Sequence, residues 1–211
     1  MSNLAKKPMT SETLNFEIQR KIFHLCSLVF PIIYIFLSKI TMGIALTIVA
    51  GITLYLDISR HYNPKIKGFV DNFLGKFQRV EEKSGEFVLS GASYMAFGFL
   101  ITCLLFSKGL AITSWLVLIV SDCIAAVLGM EFGSPLFNGK SYIGSASFFF
   151  SAMLISIMSY FVIGYNTSFS VIMISCLLCT VVEFFSDQIN IDDNLSIPLT
   201  YALSTFIFGL I

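Results

Sequence analysis

Charge is what this chain has least of. Only 12% of its 211 residues are Asp, Glu, Lys or Arg, against about a quarter in ordinary soluble domains. Its formal net charge is zero, which excludes a polyanion-binding surface built on basic excess. The five cysteines (Cys26, Cys103, Cys123, Cys176 and Cys179) are odd in number and all lie in apolar stretches, which excludes a disulfide framework. The Cys176–Cys179 pair has CxxC spacing but reads as packing within an apolar helix. Residues 1–19 are polar and lack the apolar core of a cleaved signal peptide. No internal repeat and no low-complexity tract is present.

What is there is apolar. Hydrophobic residues make up 56% of the chain, with a mean hydropathy of +0.84. No single soluble core hides that much apolar surface, so the chain is expected to be an all-α polytopic membrane protein. A bilayer-spanning helix needs about 20 mostly apolar residues. Seven segments come near that length: 22–38, 40–56, 87–106, 109–130, 143–163, 168–186 and 195–211. The connections at 38–41 and 107–109 are short enough to make antiparallel hairpins. The domain reading is a polar cytoplasmic segment over 1–19, followed by one integral-membrane catalytic domain over 20–211.

Orientation follows from lysine and arginine. With the N-terminus inside, Lys6, Lys7, Arg20, Lys21, Arg60, Lys65, Lys67, Lys76, Arg79, Lys83 and Lys140 are cytoplasmic; only Lys39 and Lys108 lie outside. Seven crossings then place the C-terminus on the opposite side. The one long polar segment, Asp57 to Glu86, carries Ile66, Phe69, Val70, Phe73, Leu74 and Phe77 at helical spacing. It predicts either a helix lying along the cytoplasmic membrane surface or a solvated loop helix.

Asp122 is the residue hardest to explain as structure. It lies eight residues before Met130, roughly 12 Å below the expected end of its helix. A carboxylate exposed to lipid there costs at least about 2.5 kcal/mol, so it is expected to face a bundle interior or a watery pocket. Glu183, Asp187, Asp192, Asp193 and Asn194 approach the same membrane face on this topology, as do Arg20, Lys21, His24 and Lys140. Each has a plainer reading. Asp193 or Asn194 would cap the last helix, Arg20 and Lys21 would be positive-inside anchors, Glu183 would neutralise a cation, and His24 would be a packed polar residue one turn after Arg20.

Between two apolar runs, Gly129, Gly133, Pro135, Gly139, Gly144 and Ser145 punctuate the chain, with Lys140 and Ser141 among them. Glycine allows backbone to approach a ligand closely. A helix start beginning near Ser141 offers free N–H groups to phosphate. Carboxylates near phosphate oxygens also suit Mg2+. The segment is not a Walker loop, because Ser134 stands where GxxxxGK[ST] needs glycine. A glycine-rich reverse turn is the rival reading.

These residues resemble a family. RKIFH (Arg20 to His24), GASYMAFG (Gly91 to Gly98), SDCIAAVLGMEFG (Ser121 to Gly133), NGKSYIGSASFF (Asn138 to Phe149) and VVEFFSDQINIDDNLSIPL (Val181 to Leu199) occur in the order seen in the polyprenol kinase group. That group includes dolichol kinase, phytol kinase and CTP-dependent diacylglycerol kinase, and is related to the integral-membrane phosphatidate cytidylyltransferases. In the resemblance, Asp122 matches the acid of a D-x-x-A-x-x-x-G motif, with Ala125, Gly129 and Gly133 at its small positions. Lys140, Ser141, Gly144 and Ser145 match K-S-x-x-G-[ST], and Glu183, Asp192, Asp193 and Asn194 match the C-terminal acidic element. Where phytol kinase-like members often carry a second acid, this chain has Ala126, and where they carry basic residues it has Met130 and Glu131.

The resemblance implies a kinase that moves the γ-phosphoryl group of CTP to a lipid alcohol. Lys140 and the Gly144–Ser145 helix start would hold phosphate. Mg2+ would be shared among some of Asp122, Glu183, Asp192 and Asp193. Asp122 is the first choice to accept the hydroxyl proton. Arg20, Lys21 and His24 would steady phosphate charge or shape the site. Two other readings stand beside it: a cytidylyltransferase acting on a lipid phosphate, whose PGHGG-type signature is absent here, and a small ion-coupled transporter using intramembrane acids.

Overall fold

In the computed structural model, residues 11–74, 88–136, 139–189 and 191–210 are described, and everything regular among them is helical. The elements in order are α1 (Ser11–Cys26), α2 (Val29–Phe36), α3 (Lys39–Tyr62), α4 (Pro64–Leu74), α5 (Gly91–Leu105), α6 (Lys108–Leu116), a π-helical turn (Val117–Ser121), α7 (Asp122–Phe132), α8 (Tyr142–Ile163), α9 (Phe169–Ile189) and α10 (Asp193–Phe208). Among the described residues, five stretches are long and apolar enough to cross a membrane: Gln19–Phe36, Lys39–Tyr62, Lys108–Phe132, Tyr142–Ile163 and Phe169–Ser186. The chain is therefore an integral membrane protein. The expected spans 87–106 and 195–211 correspond to shorter helices, α5 with 15 residues and α10 with 16.

Local sequence explains the ends and breaks. The first span is not one continuous helix. Pro31 has no N–H and its ring crowds the carbonyl of residue 27; the chain turns at Ser27–Leu28, where Ser27 donates from both N and Oγ to the His24 carbonyl. Ser38 caps α3 by accepting from Thr41 N–H at 3.1 Å. Asn63 ends α3, because a residue before proline avoids helical backbone, and Pro64 opens α4, where its missing donor costs nothing. Gly164 closes α8 in the left-handed conformation, with φ of 72°.

The long polar segment begins later than expected. Asp57 and Arg60 belong to α3 and are buried, 4% and 9% exposed. α4 buries Val70 and leaves Phe69 exposed. The rest of the expected surface helix, through Phe77 to Glu86, lies outside the described residues, as do residues 1–10 of the polar N-terminal segment.

At the end of the bundle away from the acids, the two short hairpins sit side by side. Lys39 Nζ donates to the Phe106 carbonyl at 2.8 Å, and Lys108 Nζ donates to Ile35 and Leu37 carbonyls at 2.9 Å. Both lysines thus satisfy the acceptors left open at helix C-termini. The core beneath them centres on Trp115. Its ring stacks on Phe99 at 4.6 Å and on Tyr34 at 5.2 Å. Its indole N–H donates to Thr102 Oγ1 at 2.7 Å, as a buried tryptophan requires. A second crossing joins α5 to α10. Pro198 gives no N–H to the Asn194 carbonyl, and Gly98 lets α5 approach that carbonyl so closely that a β-carbon there would lie 2.8 Å from it.

Candidate functional site

The alternation of helices brings the ends of α1, α3, α7 and α9, and the starts of α5, α8 and α10, to one end of the bundle. Asp122 sits where the π-helical turn gives way to α7. The wider turn re-aims the residues that follow it, and such turns recur at functional sites. The Asp122 carboxylate is buried, and its Oδ2 accepts from Lys21 Nζ at 2.5 Å. His24, one turn after Arg20 on α1, places Nε2 3.8 Å from the same oxygen. Lys21 and His24 are themselves 7% and 8% exposed. Lys21 is thus no surface anchor, since its ammonium is spent inside the protein on Asp122.

A second ion pair stands close by. Lys140 Nζ donates to Glu183 Oε1 at 2.5 Å, tying the α7–α8 loop to α9. Burial opposes the Lys140 charge, but the carboxylates of Glu183, Asp193 and Asp122 outweigh it and hold its pKa above the ordinary lysine value. Lys140 is therefore a fixed cation. The Asp193 charge also acts on His24, Asp122 and Glu183, so the residues expected to share a ligand lie within electrostatic reach of one another.

Among the described residues, buried polar atoms at this end without a hydrogen-bond partner include His24 Nε2, Glu183 Oε2 and Ser145 Oγ. Leaving a buried polar atom unpaired costs about 1–3 kcal/mol. Each such atom calls for a partner, and a bound ligand, ion or water would supply one. Among the described residues no three His, Cys, Asp or Glu side chains group as a ready metal cage. The donor set nevertheless suits a hard cation that shares its ligands with phosphate, since Glu183 Oε2 is an uncommitted carboxylate oxygen.

The remaining expected residues divide. Asp192, rather than Asp193 or Asn194, caps α10; its Oδ1 accepts from Asn194 N–H at 2.9 Å and from Asn194 Nδ2 at 2.8 Å. Ser141 caps α8, accepting from Gly144 N–H at 3.0 Å. Gly139 takes a left-handed conformation in this loop, with φ of 80°. Gly129, Gly133 and Gly144 form an interlock between α7 and α8. A β-carbon at Gly144 would lie 3.0 Å from the Ala125 carbonyl, one at Gly129 would lie 3.2 Å from Gly144 Cα, and one at Gly133 would overlap the Ser141 side chain. Their small size is used to seat Lys140 and the start of α8 against Asp122's helix.

Sequence reading passed over Asp57 and Arg60. Asp57 Oδ2 accepts from Ser90 N–H at 2.8 Å, Ser90 Oγ at 2.9 Å and Ser93 Oγ at 2.5 Å. Arg60 lies 3.3 Å from Asp57 Oδ1 and donates to the Val88 carbonyl at 2.7 Å. The clasp fixes the start of α5 to the end of α3. The only advance signal was the i, i+3 spacing of opposite charges. Asp57, Arg60, Lys21, His24 and Asp122 all face one cavity of about 360 Å3.

Neither a protein-family profile nor a solved structure matches the chain. An uncharacterized protein of Rickettsia prowazekii is 53% identical over 95% of this chain and 98% of its own length. An uncharacterized protein of Methanocaldococcus jannaschii is 32% identical over 88% and 91%. A probable phytol kinase of Triticum aestivum is 30% identical over 76% of this chain, which spans 58% of that protein; for a probable phytol kinase of Oryza sativa the figures are 30%, 61% and 45%. The chain thus belongs to one family with the uncharacterized Rickettsia and Methanocaldococcus proteins, and its distant, partial homology to phytol kinases supports a polyprenol kinase-like membership.

Proposed function

We propose that this protein is a lipid-alcohol kinase that transfers the γ-phosphoryl group of CTP to a hydroxyl presented by the membrane. The observation that carries the reading is the meeting of a buried ion pair, Lys21–Asp122, and a partly buried one, Lys140–Glu183, with unpartnered His24 Nε2 and Glu183 Oε2 atoms. The distant phytol kinase homologues support it. We further propose that α5 and α10 complete seven crossings, that α4 begins a helix on the cytoplasmic surface, and that the site opens to the cytoplasm.

Phosphoryl transfer asks a protein for in-line positioning and charge neutralisation. In this mechanism Lys140, with Arg20, neutralises phosphate oxygens, and the open N–H groups at the start of α8 add the positive end of a helix. Asp122, paired with Lys21, accepts a hydrogen bond from the lipid hydroxyl and takes its proton as the oxygen attacks. The bond from γ-phosphorus to the bridging oxygen breaks, and CDP departs with the electron pair. Glu183, through its unpartnered Oε2, and Asp193 would contribute ligands to a Mg2+ ion arriving with the nucleotide, which would supply neutralisation of the triphosphate.

The direct test incubates purified protein in lipid with γ-labelled CTP or ATP and a panel of lipid alcohols. The expected result is label in a lipid phosphate and release of CDP. Pyrophosphate release would replace this reading with cytidylyl transfer; no nucleotide turnover with any acceptor would remove it.

A further inference from the structure

The cavity beside Asp122 is larger than the phosphoryl chemistry needs, and most of its wall is apolar. Phe23, Phe30, Leu46, Met95, Ala96 and Phe99 line it, while its charged lining includes Lys21, His24 and Asp122. At about 360 Å3 it lies near the lower end of ligand pockets, which run from about 300 to 1,000 Å3. Its inner wall is rigid: Leu46 and Phe99 are 0% and 1% exposed, and Phe99 is stacked on Trp115.

Two observations point to what fills it. His24 is more than nine-tenths buried, faces the cavity, and leaves Nε2 without a partner 3.8 Å from Asp122 Oδ2. A hydroxyl lodged between these atoms would satisfy the imidazole and bond to the carboxylate. The second concerns entry. α1 packs on the π-helical turn and α7, whereas α3 packs on α4 and α5. The cavity occupies the seam between these two groups of helices, and Phe23, which lines it, is 43% exposed. An apolar chain can enter there from hydrocarbon without crossing the charged end.

We infer that this seam cavity is the acceptor site, holding a single apolar chain whose terminal hydroxyl lies between His24 Nε2 and Asp122 Oδ2. The fate of that hydroxyl rests on the kinase reading; its binding does not. The small side chains of Ala92 and Ala96 set the width of the chamber, and the Phe99 wall limits how far a chain passes inward. The volume takes one chain, so a two-chain glycerolipid is a poor fit. Straight-chain and isoprenoid alcohols share the required chemistry.

The test uses the full chain in phosphatidylcholine nanodiscs and a hexadecanol bearing a mid-chain diazirine and a terminal alkyne. Irradiation without nucleotide is expected to label peptides of α1 and α5 at least about tenfold over those of α8 and α9. Ala92→Trp at the exposed edge, and Ala96→Phe inside, are each expected to cut labelling about tenfold with helicity retained. In the transfer assay both raise KM for the lipid and leave KM for the nucleotide unchanged. Competition by unlabelled isoprenoid or straight-chain alcohol identifies the chain type. Labelling spread evenly over α8 and α9, labelling unmoved by both substitutions, or equal competition by diacylglycerol would each overturn the assignment. Intact labelling without phosphoryl transfer would instead remove the kinase reading and leave the chamber standing.

Discussion

Asp57 and Asp122 face the same cavity, are almost equally buried, and each sit beside a cation. Their surroundings differ. Asp57 Oδ2 accepts three hydrogen bonds from Ser90 and Ser93, and Arg60 closes the cluster through the Val88 carbonyl. Asp122 has Lys21 on one oxygen and, beyond it, an imidazole nitrogen with no partner. A buried charge with every bond made holds helices together. A buried charge with an unmade bond beside it is kept for something that arrives later. The difference separates a structural ion pair from a candidate catalytic one more sharply than burial does.

The comparison can be broken by removing the carboxylate at each position. Asp122→Asn is expected to lower phosphoryl transfer by at least about a hundredfold, the range for loss of a positioned base, with helicity by circular dichroism unchanged. Wild-type transfer by this variant would remove Asp122 from the chemistry. Asp57→Ala leaves Arg60 buried without its partner and is expected to cost about 3–5 kcal/mol of stability. Thermal denaturation reads that loss, while activity per folded molecule changes much less than for Asp122→Asn. The reverse pattern would show that Asp57 is the functional acid.

Smaller effects sharpen the picture. Gly133→Ala drives a methyl group into Ser141 and is expected to cost about 1–3 kcal/mol, as overpacking does; an unchanged Tm would mean that the α7–α8 interlock is looser than described. The smallest effect concerns pH. Burial works against the Lys140 charge, but Glu183, Asp193 and Asp122 raise its pKa overall. A raised value gives stability that is present below the unfolded pKa and lost only as pH climbs through the folded one. From about pH 6 to 9 the Lys140–Glu183 contribution is therefore expected to stay flat. A Lys140→Met difference in Tm that shrinks steadily across that range would show the ammonium deprotonating early.

The glycines teach a related point. Gly129, Gly133 and Gly144 stood out in the sequence as a possible phosphate cradle. In the fold their missing side chains let α7 and α8 meet, so the same residues place Lys140 near Asp122. Asp192 shows the same economy, since its carboxylate caps α10 and sets where Asp193 and Asn194 begin.

Sequence alone determined the solvent and the class. Apolar runs near membrane length, few charges and acids at the ends of those runs leave little choice but a helical membrane protein, because hydrocarbon forces each backbone group to bond within its own helix. It also marked Asp122, since a carboxylate at that depth costs free energy wherever it faces. Tertiary structure decided the rest. Which cation meets Asp122, the burial of Asp57 with Arg60 and the cavity between α1, α3 and α5 all depend on how separate helices approach one another. Periodicity along a chain reports the face of each helix, while an ion pair spanning 101 residues, as between Lys21 and Asp122, exists only once the helices have packed.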